Sequence, residues 1–221
     1  MIYILNIETA TKNCSVSLSK NGQTVAIKGI SEEQFNHAEK LHLFIKEVLS
    51  SEGISLKNLN AIAVSKGPGS YTGLRIGVSA AKGLCYALNI PLIAVDTLSI
   101  LAEKISVDSG IIIAMIDARR MEVFTQKFKK DYSQISVAEA LIVDENAFAD
   151  ITENIHLVGD GAMKCKTVLT DDKFIFHEDV IYPSANEMSR ISYKKYTESA
   201  FEDVAYFEPY YLKDFMLTTK K

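Results

Sequence analysis

The sequence lacks the features that make several function classes easy to assign. It has no basic surplus: 24 Lys and Arg stand against 28 Asp and Glu, a formal net charge of −4. The pI near 5.6 gives no field that would hold nucleic acid alone, so a partner would carry most of such a contact. It has only three cysteines, Cys14, Cys85 and Cys165, widely spaced in apolar surroundings. An odd, scattered set reads as reduced core thiols of a cytoplasmic protein, not as a disulfide framework or a zinc site. No apolar run reaches the length of about 18 residues that a membrane span needs, and Glu8 cuts the first one short, so neither membrane spanning nor secretion is expected. Histidines are few, and no HExxH occurs. His37 and His42 lie five apart, a spacing that turns them roughly 140° from each other on a helix and spoils them as a ligand pair. No Ser-His-Asp or Cys-His arrangement stands out, and no catalytic residue or metal site is expected.

What is present is a core. Hydrophobic residues make up 48% of 221 residues, enough for one large domain or two small ones. Ile2–Thr9 reads as an apolar strand. "CSVSLSK" alternates, with Cys14, Val16 and Leu18 on one face and serines on the other. Asn21-Gly22 suits a type I′ turn into a third strand, "QTVAIKGI". In the next helix Ala38, Leu41, Ile45, Val48 and Leu49 fall at helical spacing, with Gly53 at its C-terminal end. "NAIAVSK" and "PLIAVD" read as buried strands flanking a helix over residues 70–88. The order β-β-β-α-β-α-β is a meander that continues into a parallel sheet. After about residue 105 a similar order begins again, through "GIIIAMIDARRMEVFTQKFKK", "IHLVGDGA", "KFIFHE" and a helix opened by Ser184. The expected division is therefore an N-terminal lobe over 1–105 and a C-terminal lobe over 106–221. The aromatic last stretch, "VAYFEPYYLKDFMLTTK", reads as a docked tail that could pack back on the first lobe.

The chemistry turns on the glycine loop Gly67, Gly69, Gly73 and Gly77. A P-loop is excluded, because Leu74 stands where GxxxxGK[ST] requires lysine. A dinucleotide fingerprint fits in part, since Asp96 ends the next strand where a ribose-binding acid would be. Pro68 and the three preceding antiparallel strands oppose it. A third reading looks at the helix: Gly73, Gly77, Ala80, Ala81 and Leu84 line a nearly bare stripe. Each interior glycine costs up to about 1 kcal/mol against alanine, so the stripe needs a close neighbour, either the chain's own lobe or a partner subunit.

"ILNIETATKNCSVSLSKNG", "HAEKLH", "GPGSYTGLRIGVSAAKGL", "MIDARRMEVF", "VGDGA", "YPSANEM" and "PYYLK" occur in an order and spacing that resembles the TsaB (YeaZ-like) family, and the match spans nearly the whole chain. The resemblance implies an actin-like ATPase (ribonuclease H-like) α/β fold of two related lobes, each with a mixed sheet and covering helices. It implies a non-catalytic scaffold in the making of threonylcarbamoyladenosine beside the tRNA anticodon. The implied partners are a TsaD-like catalytic subunit, docked through N-terminal-lobe helices, and a TsaE-like ATPase, with tRNA reached through the complex. No cofactor of its own is implied, though ATP or ADP at the subunit interface stays open, as does a homodimer of the isolated chain. The docking residues carried by this reading are His37, Leu41, Gly73, Gly77, Ala80, Ala81 and Leu84. Enzymes of the fold place an acid at the first hairpin; here it is Glu8, followed by Thr9-Ala10-Thr11 without a turn glycine. The equivalent turn of the second lobe is Asp117-Ala118-Arg119-Arg120.

Candidate anion or nucleotide contacts are accordingly Glu8, Thr9, Gly67, Gly69, Ser70, Arg75, Asp117 and Arg119. Arg75 sits on a first helical turn, where a cation opposes the dipole, so it should meet Glu8, Asp96, Asp117, an anion or a partner's acid. Two other functions remain open: a nucleotide-binding ATPase or kinase of this fold, and a dinucleotide-dependent oxidoreductase.

Overall fold

The computed structural model describes residues 1–31 and 37–213; the end of the expected tail, 214–221, lies outside the described residues. The first sheet contains β1 (Tyr3–Glu8), β2 (Asn13–Lys20), β3 (Gln23–Ser31), β4 (Ala61–Gly67) and β5 (Leu92–Asp96), in the order β3-β2-β1-β4-β5. The meander strands pair antiparallel, with Leu5 opposite Leu18 and Ile7 opposite Val16. β4 and β5 then add in parallel. The second sheet contains β6 (Ile111–Asp117), β7 (Glu122–Lys129), β8 (Glu139–Ile142), β9 (Ile155–Val158) and β10 (Phe174–Phe176), in the order β10-β9-β6-β7-β8. Its β6, β7 and β8 pair antiparallel and its β9 and β10 in parallel. The two sheets thus have one topology, with β6 in the place of β1, and the ends of those two central strands, Glu8 and Asp117, are counterparts.

Among the described residues five α-helices cover the sheets: α1 (His37–Ser51), α2 (Tyr71–Leu88), α3 (Thr97–Ala102), α4 (Asp160–Cys165) and α5 (Ala185–Thr197). α1 buries Leu41, Phe44, Ile45, Val48 and Leu49 in the same core as Leu5, Val16, Val64, Val78 and Ala81. Its first buried residue is His37, and Ala38 is exposed, contrary to the expected stripe. The imidazole wins the inward position because its Nε2 meets the Thr11 carbonyl at 2.8 Å, which satisfies a polar group there. α2 starts with Ser70 as N-cap, its hydroxyl accepting from the Gly73 amide, and ends at Asn89 in the left-handed region.

α3 follows the first sheet, yet Leu98, Leu101 and Ala102 pack with Ile112, Ala114 and Ile116 of the second. α5 follows the second sheet, yet Ala185 and Met188 pack with Ile4, Ala63, Ile93 and Val95 of the first. Each sheet is completed by a helix from the other half of the sequence, which ties the two halves together. α5 also explains the serine face of β2, which the alternation alone leaves to solvent. Both faces of β2 are buried. Ser17 donates to the Ala185 carbonyl at 2.6 Å and accepts from Asn6 at 3.0 Å, while Ser192 donates to Asn6 at 2.7 Å. Buried hydroxyls need such partners, since an unpaired one costs about 1–3 kcal/mol. The short elements α3 and β8 were not legible as elements in the sequence; six and four residues give too little periodicity.

The three thiols are free and buried. Burial pushes Cys14 up to about 11 and Cys85 up to about 12, as inert core sulfhydryls. Among the described residues no helix is long and apolar enough to cross a membrane.

Candidate functional site

β1 delivers its last residue, Glu8, into the base of the turn that leads to β2, and α2 is laid over that turn. The glycines of the loop and helix permit the close approach. A Cβ on Gly69 would collide with the Ala10 carbonyl, one on Gly73 with the Thr9 carbonyl, and one on Gly77 with the Thr9 hydroxyl. Gly67, at φ +117°, would meet the Tyr210 carbonyl of the tail. Real bonds hold the same contact: the Ser70 amide donates to the Ala10 carbonyl at 2.7 Å, and the Thr9 hydroxyl to the Gly73 carbonyl at 2.8 Å. A phosphate-binding loop offers amide donors to an anion; this one surrounds carbonyl oxygens of its own chain. The bare stripe of α2 therefore faces the first turn of the same lobe. That corrects the expectation that a second subunit fills it.

Glu8 is fully buried and points into the protein. Its Oε1 accepts from the Ala10 amide at 2.6 Å, and its Oε2 has no hydrogen-bond partner among the described residues. Burial, opposed in part by the Ala10 amide and the Ser65 hydroxyl and reinforced by Glu187, raises this carboxyl to about 7. Such a group is only about half ionised at neutral pH, which weakens it as an anchor for a metal–phosphate complex.

Of the seven docking residues, His37, Leu41, Gly73, Gly77 and Ala81 are buried within the lobe, so they cannot form a contact surface in this conformation. Ala80 and Leu84 are half-buried. Leu84 lines a groove of about 350 Å³ between α1 and α2 with His42, Ile45, Lys46, Leu49 and Leu56. Outside its lining, α1 carries Leu43, 47% exposed, and α2 carries Tyr86, 86% exposed. Neither stood out in the sequence, because each falls off the apolar stripe; an apolar residue on the face opposite the stripe was the available signal.

Arg75 meets none of the acids expected for it. Its guanidinium lies 4.1 Å from the Tyr71 ring centroid, and its Nε donates to the Tyr211 hydroxyl at 3.1 Å. The aromatic tail supplies that partner. The tail also joins β5 through Glu202 and Leu92, accepts from Lys82 at the Ala205 and Phe207 carbonyls, and donates from Tyr210 to the Lys66 carbonyl at 2.7 Å. Asp96, the candidate ribose acid, is ion-paired with Lys66 at 3.0 Å.

In the second lobe Asp117 and Arg119 open the turn between β6 and β7. Asp117 accepts from the Arg119 amide at 2.8 Å and is ion-paired with Lys164. Gly159 and Gly161 bring α4 onto the end of β6, as Gly69 and Gly73 bring α2 onto the end of β1. The two candidate turns use one construction. The structure gathers Glu8, Thr9, Gly69, Ser70 and Gly73 at the first, and Asp117 and Arg119 at the second. Among the described residues no three His, Cys, Asp or Glu side chains converge as a metal-ligand set.

A family model described as TsaD, tRNA N6-adenosine threonylcarbamoyltransferase, matches residues 28–217. The chain is 30% identical to the tRNA threonylcarbamoyladenosine biosynthesis protein TsaB of Escherichia coli, over 96% of this chain and 94% of that one. It is similar in structure to YeaZ from Pseudomonas aeruginosa, with a TM-score of 0.84 at 24% identity, covering 96% of this chain and 100% of that chain. A more distant likeness, TM-score 0.50 at 10% identity, is to the ethanolamine utilization protein EutJ from Carboxydothermus hydrogenoformans, over 86% of this chain and 90% of that one. These structural likenesses bear on the fold, which is the two-lobed α/β fold of the actin-like ATPases.

Proposed function

Because this chain belongs to the TsaB family and has a role in tRNA threonylcarbamoyladenosine biosynthesis, we propose that it serves there as a non-catalytic scaffold. In this reading it docks a TsaD-like transferase, the pair recruits a TsaE-like ATPase, and the transferase presents the tRNA. The observation that carries the reading is the filled glycine cradle. The glycine loop, which would have to turn its amides to an anion to hold phosphate, encloses the Thr9, Ala10 and Tyr210 carbonyls instead. Oxygen lone pairs there repel an anion, and the adjacent acid, Glu8, is buried and raised to about 7. Any ATP or ADP of the assembly belongs, in this account, at the junction between subunits.

The docking surface we assign is the outward side of α1 and α2. Leu43 of α1 and Tyr86 of α2 are its exposed apolar residues, and Leu84 lines the groove with α1. Exposed tyrosine on a helix surface is the kind of residue that interface anchors favour. The test is size-exclusion chromatography of the full chain with the transferase of the same organism. The wild-type chain should co-elute with it. Leu43→Ala/Tyr86→Ala should stay folded and elute alone. Magnesium-dependent ATP turnover by the isolated wild-type chain would overturn the scaffold reading.

A further inference from the structure

Two of the four histidines meet across adjacent strands of the second sheet. His156 lies in β9, and His177 directly follows β10. The two strands pair in parallel with Ile175 opposite His156, and the His177 amide donates to the Leu157 carbonyl at 3.0 Å. That register places both side chains on one face of the sheet, with His156 Nδ1 3.0 Å from His177 Nε2. Strand pairing, not helical spacing, makes this pair, so its 21-residue separation gives no sign of it in the sequence.

Both rings are held in place. His156 Nε2 lies 3.1 Å from the Ser109 carbonyl, which can only accept, so the ring hydrogen sits on Nε2 and Nδ1 keeps a bare lone pair. Histidine ligands of metals are commonly oriented in this way, with the far N–H on a backbone carbonyl. His156 is flanked by the fully buried Ile155 and Leu157, and the His177 carbonyl accepts from the Val180 amide at 3.1 Å. The rings themselves are half-buried and reachable from solvent. Burial and then His156 hold the His177 value below the ordinary one, opposed by the exposed carboxylate of Asp179, so the ring stays neutral, as a ligand must. As a hydrogen bond alone the pair is worth about 1 kcal/mol, and in acid it becomes two cations in contact.

We infer that His156 and His177 form a two-histidine site for a divalent transition ion of the copper(II) or nickel(II) type. Metal–nitrogen bonds of about 2.0–2.1 Å set neighbouring ligand nitrogens about 2.9 Å apart in square or octahedral coordination, and about 3.3 Å apart in a tetrahedron. The observed 3.0 Å suits the first arrangement, which copper(II) and nickel(II) favour. A small rotation of each ring turns the two lone pairs from each other towards one ion on the solvent side. His177 then carries its hydrogen on Nδ1 in place of Nε2, no proton is released, and water completes the shell. The bound ion ties β10, an edge strand of three residues, to β9. These strands carry none of the residues of the two candidate turns or of the docking helices, so the inference does not rest on the scaffold reading.

The full chain, free of any purification tag, is titrated with nickel(II) and copper(II) chloride by calorimetry near neutral pH, and the copper form is read by electron paramagnetic resonance. One equivalent should bind, the copper spectrum should show coupling to two imidazole nitrogens, and saturating nickel should raise Tm by about 5 °C or more. His156→Gln and His177→Gln should each weaken binding at least about tenfold. His42→Gln, which removes an exposed histidine of α1, should leave it unchanged. Melts without metal report whether the variants fold, and the two-nitrogen spectrum of the wild type keeps the inference testable if they do not. The absence of a one-equivalent site overturns it. So does a copper spectrum with one imidazole or none, or equal affinity in the wild type and both folded variants.

Discussion

Two glycines on one helix should respond in opposite ways to the same added methyl group. Gly77 and Gly83 both lie inside α2, so alanine at either should gain about 1 kcal/mol of helix propensity. At Gly83 a new Cβ finds nothing within 4 Å, and the gain should appear in full. At Gly77 the Cβ would overlap the Thr9 hydroxyl and stand 3.4 Å from Val64 Cγ2. Relief requires Thr9 to give up its bond to the Gly73 carbonyl, about 1 kcal/mol or more for a fully buried group, or the helix to move off the turn, about 1–3 kcal/mol. Gly77→Ala should therefore be destabilised by up to about 2 kcal/mol net, and Gly83→Ala stabilised by about 1 kcal/mol. For a chain of this size each kcal/mol is roughly 2–4 °C in Tm. Thermal melts of the two isolated variants decide the matter. A Gly77→Ala protein that melts as high as Gly83→Ala would refute the intrachain packing and restore a partner as the neighbour of the stripe.

Three further outcomes follow from the structure. Glu8 has a folded value of about 7, raised from 4.5, so its contribution to stability is complete below 4.5 and is lost as pH rises through 7. Glu8→Gln should remove that trend in denaturant titrations and gain about 3 kcal/mol above pH 7; a wild type whose stability is flat from pH 4.5 to 8 in this comparison contradicts the burial argument. His177, 3.0 Å from His156, has its value lowered by burial and then by that neighbour, so its contribution is present above the ordinary range and lost as pH falls through the lowered value. His177→Gln should flatten the acid side of the stability profile, and an unchanged acid limb counts against the pair. Leu41→Ala should cost about 2–5 kcal/mol, because Leu41 is fully buried, whereas Tyr86→Ala should leave the melt within about 0.5 kcal/mol and weaken transferase binding. The reverse pattern would return Leu41 to the interface.

The repeating strands were readable because their residues carry local signals: the alternation of Cys14, Val16 and Leu18, the Asn21-Gly22 turn, and the apolar runs before Gly67 and Asp96. The exchange of α3 and α5 between the sheets was not readable, since nothing in six residues after Asp96 says which sheet they will cover. The same blindness put His37 on the wrong side of α1. Its inward position depends on a carbonyl 26 residues earlier in the chain. The glycine loop was legible as a close-approach device, but sequence could not say what approaches. The answer lies in Thr9, Ala10 and Tyr210, brought there by β1 and by a tail more than a hundred residues away. Arg75 shows the same limit, because a cation on a first helical turn was assigned an acid and found two tyrosine rings.

The central claim is that this chain is needed for tRNA threonylcarbamoylation while contributing no reacting group. It is tested most directly by reconstituting the modification with the transferase, the ATPase, tRNA and a source of threonylcarbamoyl-adenylate, then measuring modified adenosine by nucleoside chromatography. The account predicts product with the wild-type chain, the same amount with Glu8→Gln, and little or none when the chain is left out. Equal product without the chain, or a thousandfold loss with a Glu8→Gln protein that folds and assembles normally, would contradict it.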